Sequence, residues 1–352
     1  EIAFYAPLVG KRPVTSLYIG GGTPTTMLAD GLDRILDRLH ATFDIRCDIH
    51  MESHPHDLTA GKLQAIAALG VRHLSTGVEA LQDRHLRYLE RPYDAAQAQE
   101  AVRRAVGQGF SCVNADLIFD LPGQTEREVA EAGRTLVELG VDQVAAYPLF
   151  RLPYTPLGRD RRSRSVSLAT VLRRRRMLRR LEDVFYAAGF TRTSVWAFTR
   201  KGVPRYCSVT VPRYLGLGAS GGTYLDDVFY LNTFNVDAYI EAVESRGAAI
   251  ALAVALTRKM RMAGWLYWRI YETRISRGAF QQTFRESFDD VYGTYVKPLQ
   301  RLGLASDDGE TIVLTDRGSY WLHALEDLFS IEYVGRLWGS SVAEPWPAAV
   351  VL

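Results

Sequence analysis

Short apolar runs of strand length alternate with longer segments of helical period from Ser16 to about Phe150. The runs Ser16-Leu17-Tyr18-Ile19, Cys47 to Glu52, His73 to Glu79, Val113 to Ile118 and Val144 to Leu149 predict five strands in repeating βα units. The intervening helices carry their own boundaries. Thr59 can cap the segment that stops at Gly70, Asp94 with Gln97 and Thr125 with Glu128 form capping boxes, and Gly109 and Gly140 stand where two helices should end. A sixth unit follows the same pattern, with a helix over Leu168 to Ala188, a stop at Gly189 and Thr193-Ser194-Val195-Trp196 as its strand. The prediction is a barrel or partial barrel of βα units.

A parallel sheet collects groups from the C-terminal ends of its strands into one site. Here the first strand breaks into Gly20-Gly21-Gly22-Thr23-Pro24, whose missing side chains let main-chain groups approach a ligand, and later strands end on Glu52, Glu79 and Asp116. Taken singly, Glu52 and Asp116 could be helix caps and Arg91 could pair with Glu90 or Asp94 at the surface; recurrence at successive strand ends points to a shared site.

From about Ile250 the pattern changes to helices with interleaved aromatics, Trp265, Tyr267, Trp268, Tyr271, Phe280, Phe284 and Phe288, whose helical spacing predicts a core. Val296 to Leu304 followed by Thr311 to Thr315 reads as a helix and hairpin like the wing of a winged helix. Asp307, Asp308, Glu310 and Asp316 make that wing acidic, which disfavours nucleic acid.

Composition narrows the class. At 352 residues with 47% hydrophobic side chains the chain can bury a large core and hold more than one domain. No apolar run is long enough to span a bilayer and residue 1 opens no secretory signal, so a cytoplasmic location is expected. A net charge of +2 selects no polyanionic partner. Two arginine runs, Arg159 to Arg164 and Arg173 to Arg180, read as solvated faces, with an acidic substrate or partner as the alternative. Cys47, Cys112 and Cys207 are too far apart to form a disulfide framework.

The blocks Gly20-Gly21-Gly22-Thr23-Pro24, Glu52-Ser53-His54-Pro55, His73 to Glu79, Asn114 to Thr125 and Tyr147-Pro148-Leu149 together resemble radical S-adenosylmethionine (SAM) proteins similar to the oxygen-independent coproporphyrinogen III dehydrogenase. That resemblance implies a partial (β/α)6 barrel over residues 1–200, a connector over 201–249 and a mostly helical, winged-helix-like substrate-covering domain over 250–352. It implies a 4Fe-4S cluster and two SAM molecules, with reductive cleavage yielding a 5′-deoxyadenosyl radical. Gly21, Gly22, Thr23, Glu52, Glu79, Arg91, Asp116 and Phe150 would bind cofactor, and Gly218 and Ser220, in the retained Tyr214 to Ser220 block, would lie beside the second SAM and the substrate. A small aromatic or heteroaromatic substrate and an electron donor such as flavodoxin or ferredoxin complete the implied partners.

Two departures shape the functional expectation. The family's Cys-x3-Cys-x2-Cys cluster motif is absent from these residues, so the resemblance places the cluster cysteines upstream of Glu1. Tyr206-Cys207 replaces a His-Asn pair of the haem-handling relatives, which argues against a haem chaperone and makes Tyr206 and Cys207 catalytic candidates, against the more ordinary reading of a small buried cysteine beside a packing tyrosine. The expected function is therefore a class C radical SAM methyltransferase or cyclopropanase acting on an sp2 carbon. The alternatives are a coproporphyrinogen III dehydrogenase-like oxidative decarboxylase and a cluster-free barrel that binds a nucleotide or a partner.

Overall fold

The computed structural model describes residues 1–29, 31–151, 167–205 and 211–348. Two compact units share the described residues: 2–150 with 167–205, and 211–348 with Glu1 and Arg151.

The first unit is built on a seven-stranded sheet. Five parallel strands stand side by side in chain order: β1 (Leu17–Ile19), β2 (Ile49–Ser53), β3 (Val71–Glu79), β4 (Cys112–Phe119) and β5 (Gln143–Pro148). The helices that return the chain include α1 (Leu32–Thr42), α2 (Ala60–Ala68), α3 (Asp83–Tyr88), α4 (Ala95–Gly107) and α5 (Glu126–Glu138). Their ends obey the local chemistry of the sequence. Thr59 accepts from the Lys62 amide, and both capping boxes form, Asp94 with Gln97 and Thr125 with Glu128. Gly70, Gly109 and Gly140 take the left-handed conformation that ends each helix without a Cβ clash.

The sixth unit departs from expectation. Helix α6 (Leu168–Ala187) forms and Gly189 stops it, but Thr193 to Trp196 is a turn, not a strand. It joins β6 (Phe190–Arg192) to β7 (Ala197–Arg200), an antiparallel hairpin whose second strand pairs antiparallel with β5. The physical reason lies in connection length: four residues allow a hairpin, whereas a parallel neighbour needs a crossover.

The arginine run on α6 is a solvated face only in part, with Arg176, Arg179 and Arg180 exposed. Arg173 and Arg174 both clasp the carboxylate of Asp120, which is fully buried just beyond β4 and sits at φ 64°. Arg174 donates to the Leu149 carbonyl as well (3.1 Å), and Arg176 and Arg180 reach Glu126 at the start of α5. Close packing reinforces the charges: a Cβ on Gly133 of α5 would stand 2.9 Å from Leu181 of α6. The run therefore fastens one helix across the ends of two strands. Arg159 to Arg164 lie outside the described residues.

In the second unit, β8 (Gly222–Leu225), β9 (Val228–Asn232) and β10 (Ile250–Ala255) form an antiparallel sheet, so the segment after Ile250 opens as a strand where a helix was expected. Alternating small and branched residues, Ile250-Ala251-Leu252-Ala253-Val254, satisfy a strand's two faces better than a helical stripe. A winged-helix arrangement follows: α7 (Val236–Arg246) precedes β10, and α8 (Arg258–Tyr271), β11 (Arg274–Ser276), α9 (Arg277–Phe284), α10 (Phe288–Arg301), β12 (Ala305–Asp307), β13 (Thr311–Leu314) and α11 (Asp316–Ala343) come after it. Phe280, Phe284 and Phe288 are buried together with Trp265 against them, as the spacing predicts. Asp307 of the wing is engaged internally, held by two nitrogens of Arg277 at 2.7 and 2.9 Å.

The two halves of the arginine run should differ in worth. Arg174→Ala is expected to cost about 1.5–3 kcal/mol, the range for a hydrogen bond to a buried charge, because Arg173 still counters Asp120. Arg180→Ala, at an exposed pair, should cost under about 1 kcal/mol. Urea unfolding of both variants checks the contrast.

Candidate functional site

Pairing register decides which side chains meet on the sheet. Glu52 pairs with Ser75, Ser75 with Asn114, Asn114 with Gln143 and Gln143 with Thr199. Side chains alternate faces along each strand, so these residues, with His50, His73, Gly77 and Asp116 two positions away, share one face. Met51, Leu74, Val113, Ala115 and Val144 point the other way and are fully buried. One face of the sheet is thus apolar, and the other carries a polar row.

The strand ends gather around that row. Glu52 accepts from the Gly21 amide at 3.1 Å and from the Tyr18 hydroxyl. A side chain at Gly20 would collide with the Tyr18 ring and the Glu52 carboxylate, so glycine is required there by close approach. Asp116 accepts from Asn114 Nδ2 (2.8 Å) and Ser75 Oγ (3.4 Å), and Asn114 also donates to Ser75 (2.7 Å). A register shift between Gly77 and Glu79 in β3 ends the strand with Glu79 in the left-handed region, φ 66°. That strained conformation turns the Glu79 carboxylate back over Gly77, where an added Cβ would meet its Oε1 at 2.8 Å.

Arg91 completes the group. After α3 the chain reverses through Glu90, also left-handed, and brings Arg91 Nη2 to 3.3 Å from Glu79 Oε1. The partner is therefore Glu79, and neither Glu90 nor Asp94. Tyr93 donates to the Gly77 carbonyl at 2.7 Å and pins the same strand end.

These contacts leave charge and polarity uncompensated. Burial, then the neighbouring Glu79 and Glu52, push the Asp116 carboxyl up to about 8 against the opposing bonds from Asn114 and Ser75. Burial also raises Glu79, with Arg91 opposing. Tyr147, on the same face of β5, is pushed well above the ordinary phenol range by burial and by Asp116 and Glu79. Glu79 Oε2, Asn114 Oδ1 and Arg91 Nε are buried without a protein partner. Orphaned acceptors beside carboxylates suit a ligand that brings an ammonium and hydroxyl donors, and the free Arg91 nitrogen suits a carboxylate.

The other expected site residues fall in different places. Gly22 faces open space, Thr23 stands in extended conformation ahead of the turn over Pro24–Met27 without a side-chain capping bond, and Phe150 stacks on Tyr147 with ring centres 6.1 Å apart. Gly218 and Ser220 belong to the second unit. There the Gly218 amide donates to the Glu1 carboxylate at 2.8 Å, and Ser220 sits at φ 60° with its amide on the Thr233 carbonyl. Tyr206 and Cys207 lie outside the described residues. Ser75, Asn114, Tyr18 and Tyr93 were not singled out from sequence, although Asn114, two positions before Asp116 on one strand, carries the period that predicts a shared face.

The cluster is a different matter. Cys47 precedes β2 and Cys112 opens β4, at the strand starts and away from the carboxylates. Among the described residues no group of cysteine, histidine and carboxylate side chains could hold a metal ion. The described residues suit SAM, and among them none seats a 4Fe-4S cluster.

The sequence profile of the radical SAM superfamily matches residues 2–136, and that of the HemN C-terminal domain matches residues 274–321. The barrel unit is thus similar to the radical SAM superfamily in sequence over most of its length. Members of this superfamily use a 4Fe-4S cluster and SAM. The chain is 24% identical over 316 residues to the heme chaperone HemW of Bacillus subtilis, covering 88% of this chain and 83% of that protein. It is 24% identical over 339 residues to the oxygen-independent coproporphyrinogen III oxidase of Escherichia coli, covering 90% and 74%. The solved structure of coproporphyrinogen III oxidase (HemN) from Escherichia coli superposes with a TM-score of 0.74 at 23% identity over 92% of this chain and 79% of that one, which shows the shared fold.

These relatives overturn the expected class C methyltransferase or cyclopropanase. Proteins similar along most of the chain are heme chaperones and coproporphyrinogen oxidases, in both units. The replacement at Tyr206-Cys207 is consequently no ground for excluding a haem chaperone. No helix among the described residues is long and apolar enough to cross a membrane.

The raised Asp116 has a signed consequence. A carboxyl whose folded pKa exceeds its unfolded value stabilises the fold while protonated, and that contribution is lost as pH rises from about 4 through about 8. Asp116→Asn should therefore stabilise the ligand-free protein by about 1–3 kcal/mol near pH 8 and flatten this part of the pH dependence. Thermal unfolding from pH 5 to 9 checks it; a variant curve parallel to wild type would refute the assignment.

Proposed function

We propose that this chain is a radical SAM oxidative decarboxylase of the coproporphyrinogen oxidase kind, acting on the propionate side chains of a tetrapyrrole. One observation carries the reading: Glu79, a buried carboxylate with one unsatisfied oxygen, and Asp116, whose carboxyl is pushed up to about 8, stand with Arg91, Glu52 and the Gly21 turn at the ends of adjacent parallel strands. Similarity to the Escherichia coli oxidase over most of the chain supports the reaction class.

In this reading Gly21, Gly22 and Thr23 present backbone to the amino-acid end of SAM, and Arg91 clamps its carboxylate. Glu52 and Glu79 accept from its ammonium or ribose, and Asp116, carried on the Asn114–Ser75 pair, holds a hydroxyl. When bound, SAM and the cluster supply hydrogen abstraction, and a one-electron donor is needed to start it. The residues themselves orient SAM and keep water away from it. The cluster is held by none of the described residues. A second reading, haem carriage, is favoured by the similarity to HemW.

Two measurements separate these readings. Isothermal titration should show SAM binding weakened about tenfold or more by Glu79→Gln or Arg91→Ala, the loss of one charge-assisted contact; unchanged affinity would return both residues to a structural role. The anaerobically purified protein, given SAM, reductant and coproporphyrinogen III, should form 5′-deoxyadenosine and carbon dioxide together. Stable haem binding with neither product would establish carriage instead.

A further inference from the structure

The second unit contains a cavity of about 340 Å³ that no part of the SAM chemistry uses. Its walls come from Tyr214, Tyr224 of β8, and Arg261, Gly264 and Trp268 of α8. The two tyrosine rings lie nearly parallel, 25° apart with centres at 6.2 Å, joined by a β-bridge between their backbones. Trp268 is steadied by edge contacts with Tyr267 and Tyr271. The cavity is therefore lined by aromatic faces whose positions are set by neighbours.

Its cations are not equivalent. Arg213 is paired with Asp226 at 3.1 Å and Arg269 with Glu272 at 2.9 Å. Arg261 has no carboxylate within ion-pair distance among the described residues, although it is half-buried and close enough to Tyr224 to act on its hydroxyl electrostatically. Asp226, the one carboxylate in the lining, is already taken by Arg213, so the Arg261 guanidinium faces an aromatic cavity without an anion of its own, the signature of a site that takes its anion from a ligand. Gly264 adds a second, independent sign. It sits inside a helix, where glycine costs about 1 kcal/mol relative to alanine. Packing does not require it, since an added Cβ would meet only the Tyr224 hydroxyl oxygen, at 3.7 Å. A side chain there would occupy the cavity.

We propose that this cavity binds a flat aromatic ring bearing a carboxylate side chain, such as one pyrrole of a larger macrocycle, with the ring against Tyr214, Tyr224 and Trp268 and the carboxylate on Arg261. The volume lies at the small end of ligand sites, roughly 300–1,000 Å³. It accommodates one edge of a large macrocycle with its acidic side chain, and the remainder of the ring would stand outside. The identity of the ring as a tetrapyrrole rests on the reading in the preceding subsection; the site itself does not. Burial raises both tyrosine phenols, which keeps them as neutral hydroxyls beside the anion.

Coproporphyrin III is the probe, added to the whole chain in air without reductant, so that binding is read apart from catalysis. Saturable quenching of tryptophan fluorescence and a shift of the Soret band are expected. Arg261→Gln should weaken binding about tenfold or more, as loss of one charge-assisted bidentate contact does. Gly264→Leu, a change that favours the helix, should weaken it at least as much by filling the space. The tetramethyl ester of the same porphyrin should bind equally to wild type and Arg261→Gln. Coproporphyrin III affinity unchanged in both variants, or no saturable binding to wild type, would overturn the site. If the site falls while carbon dioxide and 5′-deoxyadenosine still form, the decarboxylase reading stands. If both variants lose the porphyrin but the wild type forms neither product, the site stands and that reading falls.

Discussion

Three carboxylates at the ends of neighbouring parallel strands impose the condition to which the rest of the first unit responds. Ionised groups cannot be withdrawn from water without partners, and here the protein supplies only part of what they need. Arg91 answers one oxygen of Glu79, the Gly21 amide and Tyr18 answer Glu52, and Asn114 with Ser75 answers Asp116. The remainder is left open, as orphaned oxygens and a carboxyl held up to about 8. The fold spends backbone strain to maintain the arrangement, since Glu79 and Glu90 both occupy the left-handed region. An incompletely satisfied acidic pocket is the state of a binding site before its cationic ligand arrives.

The arginines of α6 solve the same problem in the opposite way. Asp120, one residue beyond β4, is removed from solvent as completely as any carboxylate in the unit, yet two guanidiniums close on it and the Leu149 carbonyl joins the network. Nothing there is left for a ligand. Asp116 and Asp120 lie four residues apart in sequence and differ in function because one is fully neutralised by its own chain and the other is not. The same distinction separates Arg213 and Arg269, which have carboxylate partners, from Arg261, which has none among the described residues.

Much of this was legible along the chain. The five parallel strands, the caps at Thr59, Asp94 and Thr125, and the glycine stops all follow from signals carried within a few residues. Glu52, Glu79, Arg91 and Asp116 were identifiable as strand-end or loop groups. Three things were not. Thr193 to Trp196 has the composition of a strand, but a short connection folds it into a turn; Ile250 to Ala255 opens a strand in a region of helical aromatics; and Arg173 and Arg174 of the arginine run are drawn inward by Asp120, more than 45 residues earlier. The transfer-enzyme expectation failed for a related reason. A local replacement at Tyr206-Cys207 was weighed above similarity that spans both units.

By itself the sequence determined the period of the elements, their caps and stops, and the chemical types placed at each strand end, because those depend on backbone sterics and hydrogen bonds between residues three or four apart. Only the tertiary structure decided which polar groups share a face, which carboxylates are neutralised, and which arginines remain available. Register, burial and charge pairing join residues 12 to more than 50 positions apart, and the energy of a buried charge depends on everything that surrounds it.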